Sequence, residues 1–471
     1  MKTTRNYRHS LQHILVLFKQ SLNGEEREYT SGSIDKAIFL LSIPMILEML
    51  MESLFAVVDA YFVSRLGVDA VATVGLTESM LTIVYSLAIG LSMGTTAMVA
   101  RRVGEKNWDE AKKAASQALT LGILLAIGVG IFGYFYSDEL LRLMGASESV
   151  IATGNGYARW MFTGNITVLL LFLNNAIFRG AGNASLAMKS LILANGLNML
   201  LDPLLIFGWG PIPAFGVTGA AMATNIGRGV GVAFQLYFLL KGSHRIKVIG
   251  KYMKPAWDII WRLVKVSAGG TGQFLIASAS WIFLVKIISH FGSDALAGYT
   301  IAIRIIVFAI LPAWGMSNAA ATLVGQNLGA GQPERAEKSV WRTAFFNMLF
   351  LGTLSVVFFT SADSFIRVFS TDELVVQYGK QCLQIVCLGY IFYAYGMVIS
   401  QSFNGAGDTR TPTLINFFGF WLFQIPLAYL LAIVLNWGPF GAFVAISVAE
   451  SSIALVSIYL FRQGKWKKTA I

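Results

Sequence analysis

The chain has 471 residues, of which 55% are hydrophobic and 13% charged, with a formal net charge of +11 and a mean hydropathy of +0.63. Charge this sparse excludes an ordinary water-soluble domain of that size, whose surface carries more. The two cysteines, Cys382 and Cys387, lack the spacing of a metal or redox pair, which leaves packing as their role.

In chain order, the first apolar piece is "LQHILVLF" at 11–18, short and flanked by Arg5, Arg8 and Lys19. It reads as an interfacial amphipathic helix within an extension over 1–32, not as a span or a secretory signal. Twelve long apolar stretches follow, near 37–62, 70–99, 115–135, 150–177, 186–209, 217–240, 261–289, 297–324, 340–360, 375–402, 412–435 and 441–461. Each suits the roughly 20 residues that cross about 30 Å of hydrocarbon. The expected fold is an all-α polytopic membrane protein. Twelve transmembrane helices form two pseudo-symmetric six-helix bundles, 33–241 and 257–462, joined by a basic linker at 242–256 and closed by a tail at 463–471. The 46 glycines suit close helix packing in lipid.

The bundles are repeats. "FRGAGNAS" at 178–185 recurs as "FNGAGDTR" at 403–410, an offset of 225, and the same offset pairs "VSRLGVDAVA" (63–72) with "ISHFGSDALA" (288–297). "DEAKK" (109–113) likewise pairs with "ERAEK" (334–338), and after a three-residue deletion "GAAMA" (219–223) meets "GAFVA" (441–445). Six spans per half make these parallel repeats about an axis along the membrane normal, an architecture of secondary transporters. No P-loop is present, so a gradient rather than ATP is the expected driver.

Most of the 36 Lys and Arg residues fall at the chain ends and in the turns after even-numbered spans. That bias places both termini in the cytoplasm, with the chain in the plasma (bacterial inner) membrane. It also accounts for the basic excess through orientation and lipid contact. Without an aromatic-basic patch, a nucleic-acid partner is not expected.

Differences between the halves point to the site. Span 1 carries Glu48, Glu52 and Asp59 within roughly 40° of one helix face, where the second half has Gln273, Ala277 and Leu284. Asn198 and Asp202 on span 5 correspond to Phe423 and Leu427. A charge at mid-membrane costs about 2.5–3.5 kcal/mol, so these acids must line water, pair or bind something. Asp59, Asp202 and Tyr157 should share one depth in the outer half, forming an acidic pocket. Other readings stand beside this one. Asp202 precedes Pro203 and suits an N-cap, and Glu48 sits one turn from Pro44, where it suits backbone groups freed by a kink. Glu78 and Glu450 suit local pairing. Lys286 and Arg304 suit either neutralising acids across the cleft or snorkelling.

The two six-helix halves, the late span-1 aspartate, "GQNLGAGQPERA" at 325–336, "FRGAGN" and "FNGAGDTRTP" together resemble multidrug and toxic compound extrusion (MATE) transporters over about 33–460. Within that family the first-bundle pattern is most similar to the DinF-like branch. The resemblance implies a cation-coupling set of Asp59, Tyr157, Asn175, Asn198, Asp202 and Thr224, with Pro44 as hinge. It also implies no enzyme activity or cofactor, and export of lipophilic organic cations against H⁺ or Na⁺ by rocking bundles. A Na⁺ ion would draw on Asp59, Asn198, Asp202 and Thr224. NorM-like members also use second-bundle carboxylates, but here Gln273 stands at the span-7 position and span 10 has no acid. The expected partners are small organic cations and membrane lipid, and the expected state is a monomer. The alternatives are a lipid-linked oligosaccharide flippase, which wants a cationic cavity, and a membrane-embedded enzyme using Glu48 and Glu52 as an acid/base pair.

Overall fold

In lipid a backbone must satisfy its own polar groups, so long apolar stretches become helices. The computed structural model describes residues 15–471 apart from 242–245 and 249; the remainder of the expected interfacial helix and linker lies outside the described residues. Spans 1 to 3 are Ile34–Ser64, Val68–Gly104 and Trp108–Leu143. Span 4 joins Glu148–Thr163 to Asn165–Gly180, and spans 5 and 6 are Ala184–Phe207 and Val217–Lys241. The second half follows as Trp257–Ser289, Ser293–Gly329, Pro333–Arg367, the pair Glu373–Leu388 and Tyr390–Ala406, then Arg410–Val434 and Pro439–Arg462. Side chains of Ser33, Asn107, Ser147, Asn183 and Asp372 accept from backbone N–H groups and so fix helix starts.

Ten of these helices are long and apolar enough to cross a membrane, and span 10, bent by 58°, makes an eleventh. Span 6 is not among them, and Asn225, Arg228 and Gln235 are buried along it. The repeat is structural as well as sequential. Span 4 breaks at Gly164 and span 10 at Gly389, 225 residues apart. One departure stands out: span 11 has π-helical turns at Phe417–Gln424 and Leu430–Val434 where span 5 is regular α-helix.

The halves meet where span 1 packs on span 8 and span 2 packs on spans 7 and 8. Gly104 lies against the backbone of Gln326 and, by the repeat, Gly329 against that of Arg101, approaches no side chain permits. These contacts lie at the end of the molecule that holds residues 15–33 and the tail. Both segments strap the seam there. Tyr29 N donates to Oε1 of Gln326 at 2.9 Å, its hydroxyl to Gly182 O at 3.3 Å, and Arg335 reaches the carbonyls of Ser31 and Gly32. From the other side Arg101 and Arg102 donate to Thr469 O and Ile471 O. The straps pass over Gly182 and Gly407, which share a positive φ of 85° and 87°.

Away from the chain ends the halves diverge around a cleft of about 520 Å³. Glu52, Tyr85 and Phe172 line it from the first half, Phe274, Trp281 and Trp314 from the second. Exposed Ile127, Ile131, Leu200, Ile282 and Val356 form an apolar outer surface. Exposed Trp257 and Trp261 near one end and Trp209 and Trp437 near the other make belts suited to membrane interfaces.

Candidate functional site

The span-1 acids face one side but do not form one acidic stripe. Glu48 is buried, and its Oε1 accepts from Nδ2 of Asn175 at 2.9 Å and lies 3.5 Å from Arg179. Arg179 also donates to Ser92 Oγ at 3.0 Å, and Gln235 donates to Asn175 Oδ1 at 2.5 Å. Span 1 passes Pro44 as a continuous helix, so Glu48 serves this network rather than a kink. Glu52 is 30% exposed on the cleft wall; its Oε1 accepts from Nη2 of Arg228 at 3.2 Å and its Oε2 from Asn195 at 3.2 Å.

Asp59 and Asp202 are different: among the described residues no cation bonds to either. Asp59 is 9% exposed and its Oδ1 has no partner. Asp202 is fully buried; its Oδ1 accepts from Asn198 Nδ2 at 3.4 Å, and the same amide donates to Thr224 Oγ1 at 3.2 Å. Asp202 Oδ2 and Asn198 Oδ1 are left without partners. Span 5 continues through Pro203, so Asp202 caps no helix. Spans 1 and 5 pack together, and buried Tyr157 shares an apolar cluster with Val63 and Ile206, which lie one turn beyond Asp59 and Asp202. The i, i+4 spacing of Asn198 and Asp202 sets them on one helix face towards spans 1 and 6. Of the six expected coupling residues, Asn175 belongs instead to the Glu48 network, while Asp202, Asn198 and Thr224 are joined by hydrogen bonds, and Asp59 and Tyr157 lie on spans that pack beside them.

A buried carboxylate with an empty lone pair favours a proton or a small hard cation, and the free oxygens here are carboxylate and amide. Among the described residues no group of three or more His, Cys, Asp or Glu is placed to hold a metal ion.

The second half is neutral at the matching places. Gln273 donates to Asn404 Oδ1 at 2.9 Å and to Thr409 O at 3.2 Å, a closed amide pair. Lys286 and Arg304 are exposed and form no ion pair with a described acid, so they do not neutralise the first-half carboxylates. Arg179 and Arg228 do so from within the same half. Glu78 and Glu450 likewise have no ion-pair partner among the described residues. The signals for the two missed arginines were present: Arg228 interrupts an apolar span, and Arg179 lies inside the repeated "FRGAGN".

The MatE family model matches residues 44–204 and again 271–430, once in each half. The chain belongs to the MatE family. It is therefore a multi-pass membrane transporter and not an enzyme. It is 27% identical over 459 residues to a probable multidrug resistance protein, NorM, of Thermotoga maritima, covering 97% of both chains. It is 25% identical to the FAD transporter of Shewanella oneidensis, covering 91% of this chain and 95% of that one. A solved structure described as the outward-facing conformation of a multidrug resistance MATE family transporter superposes with TM-score 0.87 at 27% identity, covering 93% of this MatE chain and 98% of the other.

Proposed function

We propose that this MatE family member is a secondary antiporter that exports lipophilic organic cations in exchange for H⁺ or Na⁺. The basic chain ends and even-numbered turns support an orientation with both termini in the cytoplasm of a cell, in bacteria at the inner membrane. The cleft then opens outward and the strapped seam closes the inner side. One observation carries the reading: Asp59 and Asp202 are buried on the packed spans 1 and 5, each with a carboxylate oxygen that lacks a partner among the described residues.

Charged, the pocket attracts a cation, while Trp281, Trp314 and Tyr85 offer ring faces to a flat cationic cargo in the cleft. A proton or Na⁺ arriving from outside neutralises the aspartates and removes that attraction. Cargo leaves, the bundles rock, and the ion is released inside. Pro44 supplies the point at which span 1 bends as the pocket contracts. The protein acts as a monomer, since each half provides the other's cleft wall. The flippase alternative, which wants a cationic cavity, finds less support: the cleft-side Arg228 is already paired with Glu52.

The test is efflux of a fluorescent lipophilic cation from proteoliposomes under an imposed pH or Na⁺ gradient, for wild type and Asp59→Asn. Efflux that needs one gradient and is lost in the variant is expected and names the ion. Wild-type efflux by Asp59→Asn would sink the scheme.

A further inference from the structure

Arg228 is a buried charge in the first half to which the antiport scheme gives no task. It is 3% exposed, on span 6, between the cleft and the aspartate pocket. On the cleft side it donates to Glu52 at 3.2 Å and to the Tyr85 hydroxyl at 3.3 Å, and both acceptors line the cleft. On its other side it packs on Phe55, one turn from Asp59 on span 1, and on Tyr85, two turns from Glu78 on span 2, spacings that put each acid on the helix face the guanidinium touches. Phe55 and Tyr85 hold their rings 5.4 and 5.8 Å from the guanidinium carbon, cation–π contacts that do not depend on the bond to Glu52.

The grip on Glu52 is loose. A guanidinium usually takes a carboxylate with two parallel N–H bonds. Here a single nitrogen bonds Glu52, and the buried Nε has no partner. The group is also permanently charged, so it must always face an acid. One cation set between two acidic places can neutralise only one of them fully.

We propose that Arg228 is a tethered stand-in for cargo: it holds Glu52 while the cleft is empty and moves towards Asp59 and Glu78 when a cationic cargo takes Glu52. This rests on the antiport reading, in which Asp59 carries the coupling ion. The exchange joins the two sites without cargo and ion ever touching. Cargo on Glu52 sends the guanidinium to the aspartate pocket, where it displaces the ion. An ion on Asp59 removes the attraction there, and Arg228 returns to Glu52 and expels the cargo. Such coupling is reciprocal by linkage.

The experiment measures ethidium binding to the purified protein in detergent, across acid to neutral pH and, separately, with Na⁺ at constant ionic strength. In the wild type the coupling ion weakens ethidium by about tenfold or more, within the usual span of such couplings. Arg228→Gln is expected to bind ethidium more tightly and to lose the ion dependence, leaving about a twofold effect at most. Arg228→Lys keeps the mobile charge and keeps the dependence. The uncharged double variant Glu52→Gln/Arg228→Gln binds weakly and without ion dependence, and it carries the test with the Lys variant should Arg228→Gln fail to fold. Wild-type ion dependence in Arg228→Gln or in the double variant, with loss in Asp59→Asn, overturns the stand-in and leaves antiport standing. Wild-type dependence in Asp59→Asn overturns both.

Discussion

At Glu48 the first half sets a carboxylate 3.5 Å from Arg179; 225 residues on, the second half sets Gln273 against Asn404 at 2.9 Å. The same backbone joint is built once from charges and once from amides. Where Glu52 meets Arg228, the second half has Ala277 and Glu450, and where Asp59 and Asp202 lie it has Leu284 and Leu427. Glycine turns, helix breaks and packing surfaces repeat between the halves, while the ionisable chemistry does not. A duplicated scaffold must keep both halves shaped alike to rock on one another. Under the proposed antiport, only one half needs to feel the ion.

Copying second-half residues into the first sharpens this contrast. The largest effect is expected from Asp202→Leu, which imitates Leu427: gradient-driven efflux should vanish in proteoliposomes while the protein still folds. Next is Glu48→Ala, which leaves Arg179 buried and uncompensated at a cost of about 3–5 kcal/mol. Gln273→Ala breaks only an amide pair and should cost about 1–3 kcal/mol. Thermal unfolding in detergent compares the two, and Glu48→Gln/Arg179→Asn, which imitates the second half, should recover most of the loss.

Smaller still is the difference between the straps. Gly182→Ala and Gly407→Ala both force a side chain onto a positive φ, costing roughly 1–2 kcal/mol. The new methyl meets the Arg27 backbone in the first and only the Ile471 side chain in the second, so Gly182→Ala should lower the melting temperature more. The smallest effect concerns Asp35, whose carboxylate accepts hydrogen bonds from Arg342. Such a pair contributes stability while the carboxylate is ionised and loses it as acid protonates the group. Both partners are nearly half exposed, so the gain is under about 1 kcal/mol. Asp35→Asn should therefore melt slightly below wild type at neutral pH and converge with it in acid.

Much of the fold is legible in the sequence because hydrocarbon imposes length and apolarity on every span, and because an offset of 225 repeats the glycine turns. Asp59, Asn198 and Asp202 are legible as polar residues with apolar surroundings and apolar counterparts. Their partners are not. Arg179 sits in a basic turn motif and reads as orientation charge, yet its long side chain reaches back to Glu48. Lys286 and Arg304 read as the natural counter-charges by depth, but ion pairing depends on which helix faces which, and spans 4 and 6 lie nearer. Pro44 and Pro203 read as breaks, yet both helices run on through them.

The most direct test of the claim that one half carries the ion is to drive transport backwards. Proteoliposomes receive an inward cargo gradient, and the countermovement of H⁺ or Na⁺ is followed by an indicator in wild type, Asp59→Asn and Glu450→Gln. The account predicts ion movement in the wild type and in Glu450→Gln, and none in Asp59→Asn. Ion movement that survives Asp59→Asn, or that only Glu450→Gln abolishes, would contradict it.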